Sequence, residues 1–438
     1  MSNKARHPAK ALPNIAGRLL LIVAGLLGSL LLLELGVRLL DLAPPPEPNP
    51  AIWAPHPLLG WWHMPYSGGV FHSDYNEFET EVRINARGLR DREIGYDNPD
   101  GALRILALAD SFGEALQVEL ADTYPKQLEQ LLIDSLGRPV EVLNAGVGGW
   151  GTDQEAIFYV AEGFRYNPDV VLLAFFIRND AVNNYGPLEI ARNGGRQQKE
   201  FFSLTADGQL APPPVQAELQ AEAQLTSGFQ GNPVAAETGE TPPLLLPLAD
   251  RLWRWSALYR FMMPYLRDIP AVVQRAGPSG LLGGEAVIRA TNPATPIPFF
   301  VYQSPPDEEF AAAWALTEAI ILRLRDEVEQ RGSKLAVVLI AAPEQLYPAD
   351  WERTVAANPA LQQLNLELDS PNRRLGQFLE SAGIPYLDLL PVFRAAAAQP
   401  GAPRLHFRHD QHWTEAGHRL AAESIYEFLL AELADELQ

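Results

Sequence analysis

Three short runs dominated by apolar residues, Arg104–Ala109, Val140–Leu143 and Asp169–Phe176, each end directly on a polar or glycine-rich segment. Runs of strand length without polar alternation fit strands buried on both faces, and such strands belong to parallel sheets. Helical patterns alternate with them. Thr123–Leu136 is ended by Gly137; a second helix runs from about Asp153 to Tyr166 with Thr152 as N-cap; later come Glu309–Gln330, Asn372–Ala382 and a terminal helix from Glu415. Lys334–Ala342 and Pro385–Leu390 read as two further strands. The implied class is α/β, a parallel sheet with helices on both faces. In such sheets binding and catalytic sites form at the C-terminal strand ends.

Three segments occupy those ends: Ala109-Asp110-Ser111-Phe112, Asn144-Ala145-Gly146-Val147-Gly148-Gly149 and Ile177-Arg178-Asn179-Asp180. A fourth, His409-Asp410-Gln411-His412-Trp413, precedes the terminal helix, where a returning chain can bring a histidine to Ser111. Ester cleavage needs a hydroxyl that a neighbouring base deprotonates during attack, and Ser111, on a strand-to-helix turn, is the candidate nucleophile. His412 would take its proton and return it to the leaving alkoxide, while Asp410 orients the imidazole. Thr414 reads as N-cap of the terminal helix and would fix His412 ahead of a rigid element. Taken singly, each segment is also ordinary turn chemistry; their order and their shared place at strand ends carry the catalytic reading.

His406, His409, His412 and His418 crowd around Asp410, which also permits a metal site. Against it, the stretch lacks the i, i+4 spacing of helical ligands, and the serine motif already accounts for one histidine. His418, on the terminal helix, reads as structural or as a support behind the site. No metal is assigned, and the ester chemistry requires no cofactor.

Order and spacing resemble the SGNH (GDSL-type) esterase and lipase superfamily. The resemblance implies a flavodoxin-like three-layer fold, a triad of Ser111, His412 and Asp410, and an oxyanion hole built from the backbone N–H groups of Ser111 and Gly149 and the side-chain amide of Asn179. A Cβ at position 149 would crowd the approaching acyl group. This chain departs from the family pattern at Ala109 and Arg178, where glycine is usual, and arginine would narrow or charge the pocket rim. Its acid and base stand as Asp-x-His-Trp rather than Asp-x-x-His, similar to the subset, including alginate acetylation proteins, that moves or removes acetyl groups on exported polysaccharides. The resemblance covers about 105–180 and 334–430.

The N-terminus speaks to location. Lys4, Arg6, Lys10 and Arg18 precede Leu19–Leu33, almost wholly apolar, and apolar character resumes past Glu34 to Leu40. That suits a bilayer span of about 20 residues. The basic flank before it and the Pro-rich acidic stretch Asp41–Pro50 after it place the N-terminus in the cytoplasm and the rest of the chain outside. A cleaved signal peptide is the rival reading, though the stretch is long for one and no small-x-small cleavage site follows; a buried core helix is the third.

The expected organisation is a basic tail (1–18), an anchor (19–40), a linker (41–50), an aromatic-rich module (51–100) and a catalytic domain (101–438) interrupted by an insertion at about 181–300. The module holds Trp53, Trp61, Trp62, Tyr66, Phe71 and Tyr75, then an Asn85-x-x-Gly88-x-Arg90 segment with a turn at Asn85–Gly88, similar to one that often precedes the nucleophile in membrane-anchored bacterial members. Its aromatics read as packing, with sugar stacking as the alternative. The insertion shows a hairpin around Asp207-Gly208 and an amphipathic stretch Leu248–Arg267, and reads as a lid or a surface loop.

Acidic residues outnumber basic ones 54 to 34 among 438, a formal net charge of −20, and no basic aromatic stripe occurs, which counts against nucleic acid as a partner. The absence of cysteine excludes disulfides, thiolate metal sites and a cysteine nucleophile. Two classes of function follow: an outward-facing serine esterase or O-acyltransferase acting on acyl esters, carbohydrate ones above all, with a lipase or thioesterase as its neighbour, or a non-catalytic surface protein that binds glycan. Oligomeric state is not encoded in these features.

Overall fold

The computed structural model describes residues 15–193, 195–213, 243–283 and 296–434. Lys4, Arg6 and Lys10 and parts of the insertion lie outside the described residues. In chain order, the elements that matter here are helix α1 (Ile15–Leu39); two hairpins, β1 (Trp53–His56) with β2 (Gly60–His63) and β3 (Gly68–His72) with β4 (Glu79–Arg83); β5 (Leu103–Ala109), α2 (Ser111–Glu114), α3 (Tyr124–Leu136), β6 (Val140–Gly146), α4 (Thr152–Ala161) and β7 (Val170–Phe176). There follow the small hairpin β8 (Ser203–Leu204) and β9 (Leu210–Ala211), α5 (Leu246–Trp255), α6 (Ala257–Arg267), α7 (Glu308–Glu329), β10 (Lys334–Ile340), α8 (Ser370–Ser381), β11 (Tyr386–Asp388) and α9 (Glu415–Glu432).

β5, β6, β7, β10 and β11 form one five-stranded, wholly parallel sheet in the order β11-β10-β7-β5-β6. The chain starts in the sheet at β5, steps out to β6, then crosses to β7 and continues outward. That is the flavodoxin-like winding, with its switch point between β5 and β7, where the crossovers on either side diverge and leave a crevice. Side-chain alternation along the strands divides the core into two layers. Leu106, Leu108, Leu173, Phe175 and Val337 pack with Ile157 of α4 and Trp314 and Ile320 of α7. Ile105, Ala107, Leu172, Ala174 and Val338 pack with Leu128 and Leu132 of α3 and Ile425 and Leu429 of α9. Both faces are therefore covered, as the continuous apolar runs required.

Several boundaries differ from the sequence expectation. β6 runs on to Gly146, because Asn144, Ala145 and Gly146 continue the ladder beside Ala107, Leu108 and Ala109. Gly146 is required there: a Cβ would lie 2.3 Å from the Glu114 backbone nitrogen, where α2 crosses the strand end. α4 ends at Ala161 and the chain tightens into a 3-10 turn over Gly163–Tyr166. Its N-cap is Gly151, whose N–H is taken by the Gln154 side chain, and Thr152 lies inside the first turn. The amphipathic stretch is two helices, α5 and α6, broken at Ser256, and the expected hairpin at Asp207-Gly208 is β8–β9.

The chain divides into two compact units. One joins 48–73, 77–242 and 288–438 and contains the sheet together with both N-terminal hairpins. The other joins 1–47, 74–76 and 243–287, so α1 belongs with α5 and α6. α1 carries 23 residues, Gly17–Leu39, long and apolar enough to cross a membrane, with a mean hydropathy of 2.4 in its most apolar window. Its leucines from Leu19 to Leu33 are exposed, which sets aside the reading as a buried core helix.

Candidate active site

Ser111 is the first residue of α2, directly after β5. The turn is held by Asp110, whose carboxylate accepts the Phe112 N–H at 2.9 Å, and the short helix is closed by Ala115 in the left-handed region at φ 52°. The fourth segment returns to it. His412 Nε2 lies 2.8 Å from Ser111 Oγ, and His412 Nδ1 lies 2.7 Å from Asp410 Oδ1. Ser111, His412 and Asp410, the first two 301 residues apart, thus form one hydrogen-bonded chain, the arrangement that a nucleophile, a base and an orienting acid would need. The residues that follow each motif lock it. Phe112 packs edge-on against Trp413 at 4.9 Å and beside the His412 ring at 5.1 Å, so Asp-Ser-Phe and His-Trp interlock through their aromatic members.

The candidate oxyanion donors gather at the same strand ends. No protein acceptor takes the backbone N–H of Ser111 or of Gly149 among the described residues. Gly149 sits at φ +77°, a backbone conformation that demands the glycine, while within the protein a Cβ there would meet only Trp61 at an ordinary 3.5 Å. Asn179 donates one amide N–H to Asp110 Oδ2 at 3.2 Å, which turns its nitrogen toward the nucleophile turn and leaves the second N–H of the same amide.

Residues 299–438 match the family described as the SGNH hydrolase-like domain of the acetyltransferase AlgX. Residues 299–438 carry an SGNH hydrolase-like domain. The matched region supplies Asp410 and His412, β10, β11 and the helices around them, while Ser111, Gly149 and Asn179 precede it. No curated protein matches the sequence. Among solved structures, the chain is similar to a GDSL-like lipase from Bacteroides thetaiotaomicron VPI-5482 (10% identity, 74% of this chain and 86% of that one, TM-score 0.30). It is also similar to the acetyl xylan esterase AlAXEase (11% identity, 74% and 98%, TM-score 0.35) and to a two-domain esterase active on acetylated mannans (10% identity, 77% and 50%, TM-score 0.34).

Charge in this candidate site is set by burial and by neighbours. Burial works to lower the His412 pKa, but the Asp410 carboxylate and its hydrogen bond outweigh this and hold it above the usual 6.5. Asp410 lies below the usual 3.8: burial opposes this, and the His412 charge, hydrogen bonds from His412 and one from Gln117 prevail. Beneath the nucleophile sit Asp110, Glu155 and Asp180, all fully buried. Burial, reinforced by their mutual repulsion, pushes Glu155 and Asp180 well above the carboxylate range, and neither Glu155 oxygen has a hydrogen-bond partner.

Further residues surround the candidate site. Arg90, within the Asn85-x-x-Gly88-x-Arg90 segment, donates to the carbonyls of Glu114, Ala115 and Val118 and so caps the nucleophile helix. Glu114 accepts from the Trp53 indole and lies 2.7 Å from His63 Nε2. Trp61 donates to the Gly148 carbonyl at 3.0 Å, beside Gly149. Arg178 reaches across to Glu344 at 3.1 Å and to Gln411 Oε1 at 2.8 Å, and Tyr302 holds the other Glu344 oxygen at 2.8 Å. Glu77 accepts the backbone N–H groups of Arg408, His409 and Asp410. Arg90, Arg178 and Gln411 had a sequence signal from the motifs that contain them, and Trp53 and Trp61 from the aromatic-rich module; Glu77, Glu114, His63, Tyr302 and Glu344 had none. The other histidines have separate places: His418 accepts the Tyr124 N–H, and His406 is buried against the Ala341 carbonyl. Among the described residues no group of three or more His, Cys, Asp or Glu is arranged to hold a metal.

Proposed function

We propose that the chain is a membrane-anchored serine esterase or O-acyltransferase that works through an acyl-Ser111 intermediate on O-acetyl esters of cell-surface or exported glycans. The observation that carries it is the Ser111–His412–Asp410 hydrogen-bonded chain at 2.8 and 2.7 Å. His412 takes the Ser111 proton as Oγ attacks the ester carbonyl. The tetrahedral oxyanion is met by the N–H groups of Ser111, Gly149 and Asn179, donors whose individual loss costs about 3–4 kcal/mol in characterised enzymes. His412 then protonates the departing alkoxide, leaving an alcohol and the acyl-enzyme. In the second half, His412 deprotonates either water, giving the free acid, or a sugar hydroxyl, giving a new ester. The match to the domain of an acetyltransferase favours transfer and an acetyl-sized group.

We read α1 as an uncleaved span with the N-terminus cytoplasmic and the SGNH domain on the opposite side, supported by Lys4, Arg6, Lys10 and Arg18 before it and acidic residues after it. That location makes exported glycans the accessible acyl acceptors or donors. The test is hydrolysis of 4-nitrophenyl acetate and octanoate by the full-length chain in detergent, beside Ser111→Ala. Turnover that prefers acetate and vanishes in the variant supports the reading, and acetyl transfer to an added oligosaccharide then separates transferase from esterase. Preference for octanoate points to a lipase or thioesterase, and turnover unchanged in Ser111→Ala would overturn the mechanism.

A further inference from the structure

Outside α1, exposed large apolar side chains concentrate in the stretch that carries α5 and α6. Leu244 is 90% and Trp255 77% exposed, with Leu248, Met262, Tyr265 and Ile269 also open. Isolated exposed leucines are ordinary on a protein surface, but a cluster of this kind needs an occupant. The structure names where that occupant lies, because the stretch is fastened to the end of the apolar helix. Glu34 of α1 accepts the N–H groups of Ala257 and Leu258 at 2.9 Å each and the Ser256 hydroxyl at 2.8 Å. Its carboxylate thereby caps α6, satisfying donors that the first turn leaves open. Arg38 pairs with Glu34 and donates to the Trp255 carbonyl, and buried Arg260 donates to the Pro44 carbonyl just past α1.

Depth follows from helix geometry. Glu34 precedes the last residue of α1, Leu39, by little more than one turn, and at about 1.5 Å per residue the α5–α6 junction lies within about 8 Å of the helix end. If α1 spans a bilayer, that level is its headgroup region. The charge agrees. The whole chain is strongly acidic, yet residues 243–283 carry five arginines (251, 254, 260, 267, 275) against two aspartates (250, 268), and Arg251 and Arg254 are exposed beside Trp255. Apolar and tryptophan side chains interleaved with exposed arginines are the composition of an interfacial helix.

We propose that α5 and α6 lie in the headgroup interface of an anionic bilayer, with Trp255 and Leu244 inserted and Arg251 and Arg254 meeting lipid phosphates. This rests on the reading of α1 as a retained span. Cleavage after α1 would strip the cap from α6 and leave Ser256, Ala257 and Leu258 without their acceptor. The insertion is then a membrane collar that fixes the depth of the anchor.

The chain has no cysteine, so single-cysteine labelling is clean. Full-length Leu244→Cys, Trp255→Cys and, as an exposed control, Glu352→Cys would carry an environment-sensitive fluorophore in vesicles of phosphatidylcholine and phosphatidylglycerol. The expected result is blue-shifted emission at 244 and 255, with doxyl-lipid quenching severalfold stronger than at 352 and iodide quenching severalfold weaker. Labels at 244 and 255 that respond to iodide like the control would overturn the proposal. So would labels shielded from both quenchers, the pattern of a covering protein. Intact mass of the membrane-extracted chain separates the two readings. A chain lacking α1 sinks both, whereas an intact, carbonate-resistant chain with water-exposed labels sinks only the collar.

Discussion

The Glu77 carboxylate accepts the backbone N–H of Asp410 at 3.0 Å, across 333 residues of sequence. It takes the N–H groups of Arg408 and His409 as well, at 2.9 and 3.1 Å, so one side chain at the tip between β3 and β4 holds three successive amides of the loop that presents Asp410 and His412. Phe78 reinforces the contact by packing on Phe407 at 5.4 Å. Consecutive amides converging on a carboxylate form a strong, charge-assisted clamp. The N-terminal hairpins therefore set the geometry of the proposed acid and base.

Glu77→Gln replaces one acceptor oxygen by a donor that faces N–H groups. Turnover is expected to fall about 10- to 100-fold with KM little changed, the scale of effect that about 1 Å of misplacement produces. Amide hydrogen exchange of residues 408–410 should rise in parallel. Unchanged exchange, or turnover within a factor of two of the parent, would show that the loop holds itself.

Ser111→Ala and His412→Ala should each reduce ester turnover by about 10³-fold or more and abolish labelling by a fluorophosphonate, with melting temperatures close to the parent. Because the two act as one unit, the double variant should lose no more than either alone. Additive losses would mean that the two side chains serve different steps.

The pH profile of kcat/KM should carry an acid limb above the ordinary histidine value of 6.5. His412 must be neutral to accept the Ser111 proton, and Asp410 holds its pKa above 6.5, so activity rises as pH climbs through that raised value. Asp410→Asn removes the raising charge. The limb should move to lower pH while the plateau falls about 10³- to 10⁴-fold. A limb that stays in place would assign it to another group.

Gln411, between the acid and the base, sits in the left-handed region at φ 72° and is tied by its side chain to Arg178. Gln411→Gly keeps the backbone conformation and loses the bond, whereas Gln411→Val strains the backbone as well. Activity should follow the order parent, glycine, valine, and Arg178→Met, which also strips buried Glu344 of its ion-pair partner, should lose more than the glycine variant. An equal loss for glycine and valine would indicate that the side-chain bond alone matters.

Glu155 bears on stability. Its folded pKa is raised by burial and by neighbouring Asp110 and Asp153, so folding favours the protonated form. That contribution is complete below the unfolded value near 4.5 and is lost as pH rises through the raised folded value. Glu155→Gln removes the titration, so its melting temperature relative to the parent should climb across that window. A difference constant with pH would place the titrating group elsewhere, with Asp180 the next to test.

Three apolar runs followed by Asp110-Ser111, by residues 144–149 and by Asn179-Asp180 determined the centre of the sheet and its parallel sense, because burial on both faces is a local consequence of composition, whereas the end of β6 at Gly146 was set by its ladder with β5. The long apolar helix α1 was equally legible from its length and hydropathy. The pairing of Ser111 with His412 could be read from motif order alone, and the three-dimensional structure supplies its distances. Glu77 on the amides of residues 408–410, Arg90 on the end of α2 and Glu34 on the start of α6 were decided only by tertiary structure. Each joins a charged side chain to backbone groups far away in sequence, and backbone donors and acceptors are the same at every residue, so no residue type marks the partner until the fold brings the two together.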